Sequence, residues 1–154
     1  MTILPLNPDF LDFIQELQRA RARFVVVGNH ALAVHGIPRA TGDFAIFVEP
    51  TAVNAGRVLE ACRAFGAPVD AHGLTEDDLA TPGMVYQMGL PPSRIDLITA
   101  IDGVTFDQAW EGRFVVSTDE AETPFLGRAE LIANKRAAGR AKDVADLEEL
   151  EKPG

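Results

Sequence analysis

The sequence predicts an α/β (α+β) fold, with a mixed central β-sheet and helices packed on it. Short apolar runs such as Phe24–Val27 and Asp43–Val48 alternate with helical patterns, which is typical of a sheet covered by helices. A hairpin-like pair of segments, 84–90 and 94–99, interrupts this alternation and favours a sheet that is not purely parallel. The 154 residues suit a single domain over 1–154, which includes the C-terminal helices 127–151.

Composition and charge exclude several classes of protein. Hydrophobic residues make up 47% and charged residues 24%, which excludes a disordered or low-complexity chain. The formal net charge is −9, which disfavours non-specific coating of nucleic acid or of an anionic membrane. No apolar stretch is long enough to cross a bilayer and the start lacks a signal-peptide pattern, so we expect a cytoplasmic protein without membrane contact.

The first helix and strand are predicted from capping and apolar spacing. Asn7 caps a helix that starts at Pro8, and the arginine-rich segment 19–23 ends it. The run Phe24–Val27 is apolar on both faces and stops at Gly28, which predicts a central strand covered above and below.

A short helix, a strand and a long helix follow. Residues 29–35 form a short helical pattern that Gly36 closes, and Asp43–Val48 is a second buried strand. Residues 52–65 form a helix that begins after Pro50. The residues that we expect to face the core from this helix are Val53, Val58, Leu59, Cys62 and Phe65.

The second half of the chain predicts shorter elements and two closing helices. Thr75 opens a capping box, and a turn at 91–92 joins strands over 84–90 and 94–99. The remaining predicted elements are a helical turn at 106–110, strands at 114–117 and 123–126, and helices at 126–138 and 141–151.

Three sets of residues could carry chemistry: the Gly28-Asn29 pair, the acids Asp43 and Asp96, and a basic segment. The Gly28-Asn29 pair follows a strand and opens a short helix, which suits phosphate binding but is equally typical of an ordinary turn. Asp43 opens a strand and, taken alone, suits a turn aspartate held by backbone N–H groups. Asp96 lies inside an apolar strand, so it either pairs with Arg94 on its own face or contributes to a site. The third set is a basic segment.

The basic segment places Lys135, Arg136, Arg140 and Lys142 within eight positions that contain no acidic residue. Five acids follow between Asp143 and Glu151, so one interpretation is a solvated helix face balanced by ion pairs. The other is a small basic lip over a phosphate-bearing ligand, bordering the same cleft as Gly28.

The order of these features resembles a minimal nucleotidyltransferase of the polymerase-beta-like superfamily. It is most similar to the small stand-alone bacterial members, which include the abortive-infection nucleotidyltransferase toxins. The resemblance lies in Gly28-Asn29, the segment 38–48, the Ile95-Asp96-Leu97 strand and the C-terminal segment 131–147. It implies a nucleotidyltransferase fold and a reaction in which Mg²⁺ ions help transfer a nucleotide from a nucleoside triphosphate to a hydroxyl. The acceptor would be RNA, a protein or a small molecule, and a cognate antitoxin would be a partner.

The resemblance also implies roles for single residues. Asp43 and Asp96 would be catalytic carboxylates and metal ligands, close enough on adjacent strands to share one ion. Gly28, Asn29, Lys135, Arg136, Arg140 and Lys142 would bind the nucleotide.

The sequence departs from the family pattern at two positions. Asn29 stands where the family has Gly or Ser, and Ala45 stands where it has the middle carboxylate, which normally contributes to both metal ions. Because hard cations need oxygen ligands, Ala45 predicts weak Mg²⁺ binding, and Ala45→Asp is expected to restore it. Two explanations fit: a disabled form of an active enzyme, or a pseudoenzyme that binds a nucleotide or a partner.

Overall fold

In a computed structural model of the chain, the structure describes residues 6–39, 42–117 and 121–152. Residues 40 and 41, in the segment that carries the family resemblance, lie outside this part. The elements in chain order are α1 (Pro8–Arg19), β1 (Phe24–Val27), α2 (Asn29–Val34), β2 (Asp43–Val48), α3 (Ala52–Phe65), α4 (Glu76–Ala80), β3 (Val85–Met88), β4 (Arg94–Ile98), α5 (Phe106–Glu111), β5 (Phe114–Ser117), β6 (Glu122–Phe125), α6 (Arg128–Ala138) and α7 (Ala141–Glu151).

The six strands form one mixed sheet in the order β3-β4-β2-β1-β6-β5. β1 runs antiparallel to β2 and parallel to β6, and β2 runs parallel to β4. The outer pairs, β3 with β4 and β5 with β6, are antiparallel. The predicted fold class is therefore confirmed, including the hairpin that breaks a purely parallel arrangement.

Helices cover both faces of the sheet. Side chains alternate along each strand, so the apolar strands present buried residues on each face. Val26 and Phe44 point to the face covered by α1, α3 and α4. Val25, Val27 and Phe47 point to the opposite face, where α2, α5 and α6 pack. All four residues of β1 are buried, as expected for a central strand. Within the described residues, no helix is long and apolar enough to span a membrane.

One of the predictions about which residues of α3 face the core is wrong. Val58, Leu59 and Cys62 are buried, and burial raises the pKa of the Cys62 thiol to about 12, so this cysteine is a core residue. Phe65 is partly buried against the core. Val53, however, is 68% exposed. At 3.6 residues per turn, nine residues rotate the helix by about 180° relative to Cys62, so Val53 points away from the sheet.

We expect Phe44→Ala to lower the free energy of unfolding by about 3–5 kcal/mol, because it empties a fully buried position. The Phe44 ring is stacked on Phe10 with a centroid distance of 4.6 Å, so the substitution also removes this pair. The measurement is urea denaturation at constant pH. Val53→Ala is the control and should change stability by no more than about 0.5 kcal/mol. Equal effects of the two substitutions would contradict this description of the core.

Candidate functional site

A cleft of about 330 Å³ opens on the sheet face that α2 and α6 cover. Its walls are the β1–α2 turn, the start of β2, the segment 98–102 and the junction between α6 and α7. Gly28, Asn29, Asp43 and Ala45 line it, together with basic side chains from the end of α6 and the start of α7. The cleft thus brings together most of the residues that the sequence singled out.

The two predicted carboxylates lie on adjacent parallel strands and on the same sheet face. Asp43 is paired in register with Arg94, and Ala45 is paired with Asp96. Because side chains of paired residues share a face and alternate along the strand, all four side chains lie on the sheet face where the cleft opens. Of these four residues, Asp43 and Ala45 line the cleft, whereas Arg94 and Asp96 lie next to it. The predicted arrangement of Asp43 and Asp96 on neighbouring strands is present, while their metal-binding role stays a prediction.

The Arg94 guanidinium bridges the two carboxylates. Its Nη2 donates to Asp43 Oδ2 at 3.1 Å and to Asp96 Oδ2 at 3.3 Å, and its Nε donates to Asp96 Oδ1 at 3.1 Å. Burial raises the pKa of Asp96, the Arg94 cation opposes this effect, and the neighbouring Asp43 carboxylate adds to it. The Arg94–Asp96 pair that the sequence suggested therefore exists, and it includes Asp43 as well.

The donor set does not fit a two-ion magnesium centre. Within the described residues, no group of three His, Cys, Asp or Glu side chains is placed to hold a metal ion. Magnesium is usually held by carboxylates in octahedral oxygen coordination. Here two carboxylates remain, both accept hydrogen bonds from Arg94, and Ala45 contributes only a methyl group.

The Gly28 turn packs close to Ala45. Gly28 has a φ of 72°, and a Cβ at this residue would lie 3.4 Å from the Cβ of Ala45. Most side chains would be strained at this φ, which explains why glycine stands here. The turn leaves backbone accessible beside β2, and Asn29 then begins the six-residue helix α2.

Three of the four predicted basic residues line the cleft. Lys135, Arg140 and Lys142 border it together with Gly28. Arg136 does not, which corrects the expectation that it borders the cleft: its Nη2 lies 2.9 Å from Glu151 Oε1, and its side chain is mostly exposed. The next residue along a helix is rotated by about 100°, so Arg136 cannot share the direction of Lys135.

Lys135 lies in a buried ion-pair network. Its Nζ lies 3.3 Å from Asp143 Oδ1 and 3.1 Å from Asp146 Oδ2. Arg140 Nε lies 2.7 Å from Asp143 Oδ2, and Arg39 Nη2 lies 2.9 Å from Asp146 Oδ1. Two carboxylates thus hold three cations in place.

Lys142 differs from the other cations of the cleft. Among the residues that the structure describes, no carboxylate forms an ion pair with it. Of the basic side chains in the cleft, Lys142 is therefore the one best able to bind an anionic ligand.

Sequence reasoning missed two polar residues that line the cleft, Asp102 and Asn134. Asn134 Nδ2 donates to the Asp102 carbonyl oxygen at 2.9 Å, which ties the 101–104 turn to α6. Gly103 has a φ of 74°, and a Cβ there would lie 2.6 Å from Ala137 Cβ, so only glycine lets the turn pack on the helix. The Asp-Gly dipeptide is a turn signal, and it could have located this wall.

We expect Asp143→Asn to destabilise the protein most at neutral pH. Burial raises the pKa of Asp143, but hydrogen bonds from Arg140 and Lys135 outweigh it and lower that pKa from 3.8 to about 2. A depressed pKa contributes stability above the unfolded pKa and loses it as pH falls through the folded pKa. Urea midpoints of both proteins should therefore differ most above pH ~4 and converge toward pH ~2. A difference that is independent of pH would contradict the assignment.

The comparisons with known proteins bear on the fold. No protein-family model matches this sequence, and no curated protein matches it. The structure is similar to a crystal structure from Thermotoga maritima, TM1012, described as a "putative nucleotidyltransferase". The TM-score is 0.55 at 14% sequence identity, over 95% of this chain and 92% of the other. At this identity the likeness shows the fold alone. The chain therefore has a nucleotidyltransferase-like fold.

Proposed function

We propose that this chain is a nucleotide-binding protein with a nucleotidyltransferase-like fold, whose cleft receives the phosphates of a nucleoside triphosphate. The observation that carries the proposal is the cleft itself, which the Gly28 turn lines together with Lys135, Arg140 and Lys142. Glycine permits close approach of a phosphate to the backbone, and the basic side chains supply charge-assisted hydrogen bonds.

The distribution of charge supports an anionic ligand at this place. The chain carries a net charge of −9, yet three of its 14 basic residues converge on one cleft. Lys135 and Arg140 are held by Asp143, so they are positioned before a ligand arrives. Preorganised donors lose less side-chain entropy when a ligand binds. Lys142 provides the charge that Asp143 and Asp146 do not balance.

Nucleotide transfer is a second candidate, because the carboxylate pair retains the expected placement. Asp43 and Asp96 lie on adjacent strands of one sheet face, and Ala45 is directly opposite Asp96. Transfer would use a hydroxyl acceptor on RNA, a protein or a small molecule, and the resemblance to toxins adds a cognate antitoxin as a partner. With Ala45 in place of a carboxylate, the metal that activates an attacking hydroxyl lacks a ligand. We therefore assign binding, rather than turnover, to the chain as it stands.

The binding proposal predicts a specific effect of Lys142→Ala. Isothermal titration calorimetry with ATP, CTP, GTP and UTP should detect binding of at least one of them, and Lys142→Ala should weaken it about tenfold, or ~1.4 kcal/mol. Arg136→Ala is a matched control, since it removes one positive charge from the same segment but outside the cleft. It should leave the affinity within about twofold of the unmodified chain.

Two outcomes would contradict this proposal. Absence of binding for all four triphosphates, with and without Mg²⁺, would remove the nucleotide as the ligand. Equal weakening by Lys142→Ala and Arg136→Ala would show that overall charge matters rather than the cleft.

The same reasoning predicts that the chain transfers nucleotides very slowly or not at all. With labelled triphosphates, Mg²⁺ and a total RNA pool, product should stay at the level of a protein-free reaction, because a metal ligand is missing at Ala45. Asp43→Asn should leave that level unchanged. Rapid transfer that Asp43→Asn abolishes would show that the carboxylate pair is catalytic without a third acid, and the assignment of binding alone would be wrong.

A further inference from the structure

We propose that Arg94 is a built-in cation at the edge of this cleft, where it contacts the cleft residue Asp43, and that it takes the place a divalent metal ion would occupy between Asp43 and Asp96. The cleft would then bind its phosphate ligand without a divalent ion. Metal-independent phosphate binding, the second statement, rests on the proposed function. The place of Arg94 between the carboxylates, the first statement, does not.

Strand register carries the first step of this inference. Arg94 lies on β4 two residues before Asp96, and it is paired across the sheet with Asp43 on β2. Its side chain therefore starts next to both carboxylates on the same sheet face. All three contacts of the guanidinium with these carboxylates fall between 3.1 and 3.3 Å.

The chemistry of the guanidinium carries the second step. Arginine stays protonated at any physiological pH, and its planar fork presents several N–H donors to carboxylates at once. It therefore neutralises part of the carboxylate charge and occupies the oxygens that a hard cation would need. A divalent ion entering here would have to displace a positive group that is covalently fixed to the strand. A divalent ion bound to the same carboxylates as the Arg94 guanidinium would be strongly repelled by it, because the site is partly buried.

Ala45 lies beside the same two carboxylates. Its side chain lies opposite Asp96 and beside the Gly28 turn, so an added carboxylate here would face the same space as Arg94. The sequence alone suggested that Ala45→Asp would restore metal binding. With Arg94 in place, however, a third carboxylate would acquire the same guanidinium as its partner. We therefore expect full metal affinity only when Ala45→Asp is combined with loss of the Arg94 charge.

The experiment compares the Mn²⁺ affinity of five proteins. Binding is measured from the electron paramagnetic resonance signal of free Mn²⁺. The proteins are the unmodified chain, Ala45→Asp, Arg94→Gln, and Ala45→Asp combined with either Arg94→Gln or Arg94→Lys. We expect Ala45→Asp/Arg94→Gln to bind Mn²⁺ at least tenfold more tightly than Ala45→Asp alone. The Lys combination keeps a cation at position 94, so it should bind no more tightly than Ala45→Asp alone. Circular dichroism and urea denaturation establish that each variant is folded.

A purely structural role for Arg94 gives a different pattern. Loss of Arg94 would then reduce stability but create no tighter metal site. The proposal is overturned when folded Ala45→Asp binds Mn²⁺ as tightly as Ala45→Asp/Arg94→Gln, or when the Gln and Lys combinations bind it equally well.

A nucleotide measurement tests the second statement. In the presence of EDTA, the unmodified chain should bind its preferred triphosphate with an affinity within about twofold of that measured in Mg²⁺. Binding that requires Mg²⁺ would overturn metal-independent recognition. If no triphosphate binds under either condition, the proposed function and this second statement both fail, and the Mn²⁺ comparison still decides the role of Arg94.

Discussion

The parallel pairing of β2 with β4 is the constraint on which the site depends. Phe44 and Ile46 of β2, with Ile95 and Leu97 of β4, are buried in the core on one sheet face. Burying these side chains fixes the register, because a slip by one residue would exchange the faces of the sheet. The two acids and Arg94 then necessarily lie on the opposite face, the one on which the cleft opens. Apolar packing on one face thus determines which charges meet on the other.

A second polar arrangement connects the two C-terminal helices to the cleft. Lys135 of α6 is buried between Asp143 and Asp146 of α7, and Arg39 reaches Asp146 from the segment before β2. Buried ion pairs are poor evidence for stability, because desolvation offsets much of their attraction. Their value here is geometric, since the network holds Lys135 and Arg140 along one wall of the cleft.

Local patterns predicted the elements, while contacts between distant segments were beyond sequence reasoning. Capping at Asn7 and the apolar run Phe24–Val27 predicted α1 and β1, because such signals depend on neighbouring residues. The position of Val53 was wrong, since helical phase depends on which neighbour the helix packs against. The bridge from Arg94 to Asp43 joins residues 51 positions apart, and only the strand register places them together. Arg136 and Lys135 belong to one basic segment, but they point in different directions around the axis of α6.

Fold and chemistry follow different residues in this protein. The backbone arrangement shared with TM1012 at 14% identity depends on apolar patterns, which many sequences satisfy. Metal binding depends on single side chains, and here Ala45 offers no oxygen ligand while Arg94 places a positive charge beside the Asp43 and Asp96 carboxylates. Both features act in the same direction, since each reduces the attraction for a divalent cation. Under the proposed function, a cleft with basic side chains and no third carboxylate is better suited to holding a phosphate than to activating a hydroxyl for attack on it.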